Sequence, residues 1–169
     1  SGRRTSVAVS ADMEHWSFPR TVLHPDERDA PDIDQMSVFP VGNSLVMLYA
    51  AMDGDTTGCN DIKLASSGDG FRWHRFHTRE PYLARGGPDA WDCGSVRPSC
   101  APIQQDERLL IYYMADTAGQ HEPGEGIGGI GFAVTKTGRF VEQVADDLPG
   151  FLLTREFVLE GTELRVNAP

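Results

Sequence analysis

Residues 67–73 read Ser67-Gly68-Asp69-Gly70-Phe71-Arg72-Trp73, and residues 10–16 read Ser10-Ala11-Asp12-Met13-Glu14-His15-Trp16. Both fit the pattern S-x-D-x-x-x-W, about 57 residues apart, a spacing at which structural units repeat. A second echo shares that period: Asp34, Ser37 and Val38 return as Asp92, Ser95 and Val96 in the pattern D-x-x-S-V. A third pairs Leu45-Val46-Met47-Leu48-Tyr49 with Leu109-Leu110-Ile111-Tyr112-Tyr113, the added spacing being taken up by Ala101 to Asp106. A fourth, weaker echo sets Gly131–Gly138 against Lys63–Gly70, with Thr137 in place of Asp69.

Between turn signals, each unit holds β-branched and aromatic runs of strand length. In the middle unit the predicted strands are Gln35–Val41, Ser44–Met52, Asp61–Ser66 and Trp73–Thr78. Asp69-Gly70 predicts a hairpin turn, because Gly, Asn and Asp adopt left-handed backbone at low cost. Four antiparallel strands per repeat is the pattern of β-propeller blades. The expected fold class is therefore all-β, a β-propeller with about two and a half blades present. The outer strands of one blade occupy Thr5–Ser10 and His15–Leu23 within residues 1–33; full blades occupy 34–80 and 81–149; residues 150–169 form a linker strand leading away.

Two and a half blades do not close a ring, since propeller blades are stabilised by their neighbours. Further sequence in a longer polypeptide is the expected source of the rest. Two copies would supply enough strands for five blades, but each would bring the same outer pair. Exposed blade edges still make a homo-oligomer a candidate assembly. The opening Ser1-Gly2 and the closing strand-like run ending at Pro169 fit an excised segment.

Composition narrows the functions. With 15 Lys and Arg against 25 Asp and Glu, the 169-residue chain carries a formal charge of −10. No basic cluster exceeds Arg3-Arg4, which argues against nucleic acid as a partner. No apolar run approaches the roughly 18 residues of a membrane span, so no membrane partner is expected. Cys59, Cys93 and Cys100 lack zinc-site spacing and read as free thiols of a reducing compartment, which favours the cytoplasm; a Cys93–Cys100 bridge is the alternative.

The turn at Ser67–Trp73, the strand starts at Asp34 and Asp92, the second strands through Met47-Leu48-Tyr49 and Ile111-Tyr112-Tyr113, and Trp91-Asp92 after Pro81-Tyr82-Leu83 resemble the five-bladed β-propeller glycoside hydrolases of the invertase-like and arabinanase-like kind. The stretch from Gly150-Phe151-Leu152-Leu153 to Leu164-Arg165-Val166 resembles the passage from such a propeller into a C-terminal β-sandwich. The resemblance spans nearly the whole chain. It implies the C-terminal blades of a ring, an oligosaccharide or glycoside as partner, and hydrolysis by paired carboxylates in an axial pocket. It also implies a catalytically incomplete segment, because the family's nucleophile lies in the first blade. The alternative is a non-catalytic sugar-binding or structural propeller segment.

Glycoside hydrolysis needs one carboxyl to protonate the leaving group and another to attack or to activate water. Asp34 and Asp92, at equivalent inner-strand starts, are the candidate pair, with Glu122 as a third. For Asp34 and Asp92 the structural reading, acceptance of backbone N–H bonds at a blade entrance, stands equally open. Asp12 and Asp69 read as turn caps, and Trp16 and Trp73 as inter-blade packing. Trp91 suits stacking on a pyranose face. His121, in the polar loop from Asp116 to Gly126, and His24 and Asp26, in the acidic run His24–Asp34, are candidate substrate-binding residues. His74 and His77 read as surface residues. Asp53, Asp55, Thr57 and Gly58 begin like a calcium loop, but Leu64 stands where a bidentate carboxylate belongs, so calcium is the weaker reading. No other cofactor or metal is expected. The Gly126–Gly131 run enters a strand with no helix to follow, so it is not a phosphate loop.

Overall fold

Strands Ser44–Met52 and Arg108–Asp116 show how the chain is layered: the first is buried on both faces, the second on one. A strand buried on both faces must lie inside a stack of sheets. The computed structural model describes residues 2–53, 57–76, 78–121, 126–145, 147, 149–154, 156–164 and 166. Among them it is all-β, with ten strands and no helix. Strands β1 (Thr5–Val7) and β2 (Arg20–Leu23) form an antiparallel pair. Strands β3 (Asp32–Val41), β4 (Ser44–Met52), β5 (Asn60–Ser67) and β6 (His74–Arg75) form an antiparallel meander, the first unit. In the second unit β7 (Ser95–Pro98) and β8 (Ile103–Gln105) pair in turn with β9 (Arg108–Asp116), which pairs with β10 (Gly128–Lys136).

Two apolar layers hold these sheets together. Met47, Tyr49, Ala51 and Ala65 meet Leu23 of β2 and Ile33 on one face of the first unit. Phe39, Val46, Leu48, Ile62 and Leu64 meet Val96, Ile111, Tyr113 and Ala115 of the second unit on the other. Ile33 and Phe39 are both odd-numbered yet lie in opposite layers, because the register shifts between Ile33 and Met36. Ile33 faces Ala51 and Met36 faces Tyr49, so one residue is inserted and the strand's faces swap.

The second unit's outward face has no covering layer among the described residues. Ile130, Phe132 and Val134 lie opposite Met114, Tyr112 and Leu110, and Phe132 is 58% exposed. In the first unit the residues equivalent to Leu110 and Tyr112, Val46 and Leu48, are buried.

The two repeated turns are the same structure. The Oδ1 atom of Asp69 accepts the N–H groups of Phe71 and Arg72, both at 2.8 Å, while the Ser67 hydroxyl accepts from Gly70 at 2.9 Å. The Oδ1 atom of Asp12 accepts from Glu14 at 2.9 Å and His15 at 2.8 Å, and Ser10 accepts from Met13 at 2.8 Å. The Trp73 and Trp16 indoles close the turns on the Gly70 and Met13 carbonyls. Backbone hydrogen bonds hold both carboxyls below the usual range, led by the His15 N–H for Asp12 and the Arg72 N–H for Asp69. Gly70 has φ 75° and Met13 has φ 65°, so a methionine occupies the left-handed position that glycine fills in the other copy.

Strand lengths depart from the sequence expectation where side chains replace backbone pairing. The first hairpin continues past β1 through a Ser17 N–H to Val9 carbonyl bond at 2.9 Å and a Val9 N–H to Ser17 hydroxyl bond at 3.0 Å, before Pro19 interrupts the pairing. Strand β6 stops at Arg75, short of the expected Thr78, and Leu83 takes the next place on β5 opposite Ile62. After β10 no strand forms among the described residues through 166, so the fourth strand expected before Ala145 and the one expected beyond Gly150 are not seen there. Phe151, Leu153 and Val158 are exposed instead. All three cysteines are free thiols.

The two units join at one parallel pair, Asn60 beside Ser95. The fully buried Asn60 amide donates to the Ser95 hydroxyl at 2.8 Å and to the Gly58 carbonyl at 3.1 Å. Asn60→Ala is expected to lower stability by about 1–3 kcal/mol in urea unfolding, because it strands buried partners. Gly70→Ala is expected to cost about 1–2 kcal/mol at its left-handed φ, whereas Met13→Gly should change stability by less than about 1 kcal/mol and in the stabilising direction.

Candidate functional site

The pairing register draws one line across both units: Asp32 faces Met52, Met52 faces Asn60, Asn60 meets Ser95, Ser95 faces Asp116 and Asp116 faces Gly128. The starts of the inner strands β3 and β7, and the loops after β4 and β9, therefore lie at the same end of the sheets. The loops also dock on each other. Gln120 N–H donates to the Gly58 carbonyl at 3.1 Å, and His121 N–H donates to the Thr57 carbonyl at 2.9 Å. Ile127 N–H donates to the Thr117 hydroxyl at 2.9 Å, closing the neck of the second loop.

Asp34 sits within the register shift of β3, where a bulge turns its side chain out of the ladder's alternation. Its Oδ1 receives Arg3 Nη1 at 2.7 Å, and the same nitrogen lies 3.5 Å from Gln120 Oε1. Arg3 is anchored twice more: its N–H donates to the Asp32 carboxylate, and its carbonyl accepts from Ile33 at 3.3 Å. A cation from the start of the chain thus bridges the first unit's bulge and the second unit's loop.

Asp92 lies just before β7, and its Oδ2 accepts the Tyr113 hydroxyl at 3.2 Å. Burial, with the Asp92 carboxylate beside it, pushes the Tyr113 phenol up, so the phenol remains the donor at neutral pH. Trp91 stacks on Tyr113, with centroids 5.9 Å apart and planes 21° apart, and is 42% exposed. Its seat is made by absent side chains. A β-carbon on Gly129 would come within 2.9 Å of the Trp91 ring, and one on Gly131 within 2.6 Å of Tyr113 and 2.9 Å of Trp91. The glycine run that superficially resembles a phosphate loop is a flat bed for an indole.

The other sequence candidates fall elsewhere or outside the described residues. His121 is exposed on the second loop, beside Gly58. Glu122 and Asp55 lie outside the described residues, as does His77. Among the described residues no His, Cys, Asp and Glu group has the geometry of a metal site. His24 exposes its ring, and its carbonyl accepts from Arg75 Nη1 at 2.9 Å. Asp26 is engaged with the outer strand: its Oδ2 takes Arg79 Nη2 at 2.9 Å and Arg75 Nη2 at 3.1 Å. The Arg28 N–H above all, helped by these guanidiniums, holds the Asp26 carboxyl below its usual range. Asp29, whose side chain is 1% exposed, pairs with the same two arginines. Beneath them burial pushes the Tyr49 phenol up to about 12.

Arg3, Gln120 and Tyr113 went unread in the sequence. Tyr113 stands at every second residue of a strand pattern that otherwise reads as core. Arg3 lies in a different unit from the acid it serves, and nothing local marks that pairing.

The sequence matches no protein family model and no curated protein. The fold matches solved structures. It is similar to a β-1,2-mannobiose phosphorylase from Listeria innocua in complex with β-1,2-mannobiose, at 21% identity and a TM-score of 0.58, over 80% of this chain and 34% of that one. It is similar to a glycoside hydrolase at 20% identity and a TM-score of 0.59, over 79% of this chain and 36% of that one. It is also similar to an N-acetylgalactosamine deacetylase from F. plautii in complex with blood group B trisaccharide, at 19% identity and a TM-score of 0.60, over 79% of this chain and 41% of that one. The chain thus has a glycoside hydrolase-like fold and spans about a third to two fifths of the length of these proteins.

Gly131→Ala is expected to unseat Trp91 and Tyr113 and to cost about 1–3 kcal/mol. The loss of the stacked pair should appear as a reduced near-UV circular dichroism signal, whereas Gly68→Ala, which meets no neighbour within 4 Å and places the residue found at Ala11 in the other turn, should leave that signal intact.

Proposed function

We propose that this chain is the C-terminal part of a five-bladed β-propeller, that its two units are blades, and that the whole acts on carbohydrate as a glycoside hydrolase. The reading rests chiefly on the shared end of the sheets, where Asp34 and Asp92 enter from equivalent inner strands and Trp91 offers a half-exposed aromatic face. One of the two carboxyls protonates the glycosidic oxygen and the other activates water, and the chain alone is catalytically incomplete because the ring's other blades complete the pocket. Arg3 and Tyr113 orient these acids, and Trp91 stacks on a sugar ring. His121, on the docked loop, belongs to the same end, and Glu122, outside the described residues, stays a candidate acid by its place in the sequence alone. His24 and Asp26, engaged with Arg75 on the outer strand, are not required. The sugars named with the solved structures of similar fold support an oligosaccharide as the ligand.

In a polypeptide carrying the complete ring, Asp34→Asn and Asp92→Asn should each lower kcat for its glycoside by about 10²–10⁴-fold, with circular dichroism unchanged. Rates within tenfold of wild type for both would remove the paired-carboxylate mechanism. A parent that binds oligosaccharide but hydrolyses none would identify a sugar-binding propeller instead.

A further inference from the structure

A cleft of about 420 Å³ opens next to the segment that carries Trp91 and Asp92, lined in part by Asp61, Pro81, Arg85, Gly86, Pro88 and Cys93. Arg85 is its cation. The Asp61 Oδ1 atom accepts both the Arg85 backbone N–H at 2.9 Å and Arg85 Nε at 3.3 Å, so one carboxylate oxygen fixes the start and the head of the side chain together. Nη1 and Nη2 make no hydrogen bond or ion pair among the described residues, and the side chain is 34% exposed. The result is a held guanidinium whose outer edge presents unengaged donors.

The cleft adjoins the segment that carries Asp92. Gly86 N–H donates to the Asp92 carbonyl at 3.3 Å, which ties the wall formed by Arg85 and Gly86 to the strand entry of Asp92. Cys93 donates its thiol to the Thr117 carbonyl at 3.4 Å and closes the far side. Asp61 balances the charge of Arg85, so in a chain of net charge −10 the pair is a near-neutral spot where the outer guanidinium edge still offers donors to an anion. A planar guanidinium edge matches a carboxylate in bidentate fashion and matches a neutral hydroxyl pair less well.

We propose that Arg85 receives the carboxylate of an acidic sugar, a uronate residue of the ligand, in a subsite adjoining Asp92. This rests on the carbohydrate reading above and adds the ligand's charge to it. Calorimetric titration of the polypeptide carrying the complete ring with galacturonic and glucuronic acid, against galactose and glucose, is the test. Wild type should bind a uronate at least tenfold more tightly than its neutral counterpart, with affinity falling as salt rises. Arg85→Gln should abolish that preference, and Arg85→Lys, which keeps charge and loses the planar fork, should retain only part of it. The lysine variant carries the test if the glutamine variant does not fold. Equal binding of neutral and acidic sugars, or a preference unchanged in both variants, overturns the uronate subsite and leaves the carbohydrate reading standing. Sodium acetate binding as tightly as the uronates also overturns it, by reducing the site to an anion contact. Absence of binding by any of the four sugars overturns the subsite, while the hydrolysis test on the complete ring still decides the wider reading.

Discussion

The side chain of Asn60 reinforces the parallel backbone pair between two units that also share an apolar layer. A single parallel pair is a weak seam, and the fully buried amide strengthens it by donating across to Ser95 and back to Gly58. Buried amides act on geometry because leaving them unmatched is costly. Here only the amide nitrogen is matched, Oδ1 having no partner among the described residues, and the nitrogen's two bonds help set the height at which the second unit meets the first. The docking of Gln120 and His121 on the loop after β4, and the reach of Arg3 to Gln120, both depend on that height. So does the alignment that brings two equivalent acids to one end.

The outer edge is held by charge where the inner edge is held by amides. Arg75 and Arg79 converge on Asp26 and on the nearly inaccessible Asp29, tying the connection between β2 and β3 to the strand that ends the first unit. Four charges in one partly buried cluster gain little net stability, since desolvation offsets attraction. Their effect is positional: the acidic run His24–Asp34 cannot swing freely. Asp26 and Asp29, which look in sequence like part of a cluster awaiting a sugar, are engaged within the fold.

Much of the architecture was legible because repetition and alternation are local patterns. Ser44–Met52 was read to the residue and Asp61–Ser66 to within one residue at each end. The Asp69 turn was legible because its chemistry lies within seven residues. What escaped needed contacts across the chain. The bulge after Ile33 extends β3 back to Asp32 by changing faces, so strict alternation breaks at the candidate acid itself. Strand β6 was overestimated because Leu83, from beyond the next turn, claims the edge of β5. The glycines of β10 make sense only once Trp91 lies on them, and Asp34 and Asp92 were legible as equivalents but not as partners of Arg3 and Tyr113.

The uncovered face of the second unit also bears on how the chain is made. Sheets here stack in the order of the sequence, so each sheet's forward face is synthesised before the sheet that covers it. The Val46 and Leu48 face of the first unit waits for Ile111 and Tyr113 while the ribosome adds about 60 more residues, roughly 3–12 s at typical rates. During that interval a nascent chain displays a surface like the one that Tyr112 and Phe132 leave uncovered among the described residues. Growth of such a stack is a succession of temporary hydrophobic fronts, each a target for chaperones until the next sheet arrives.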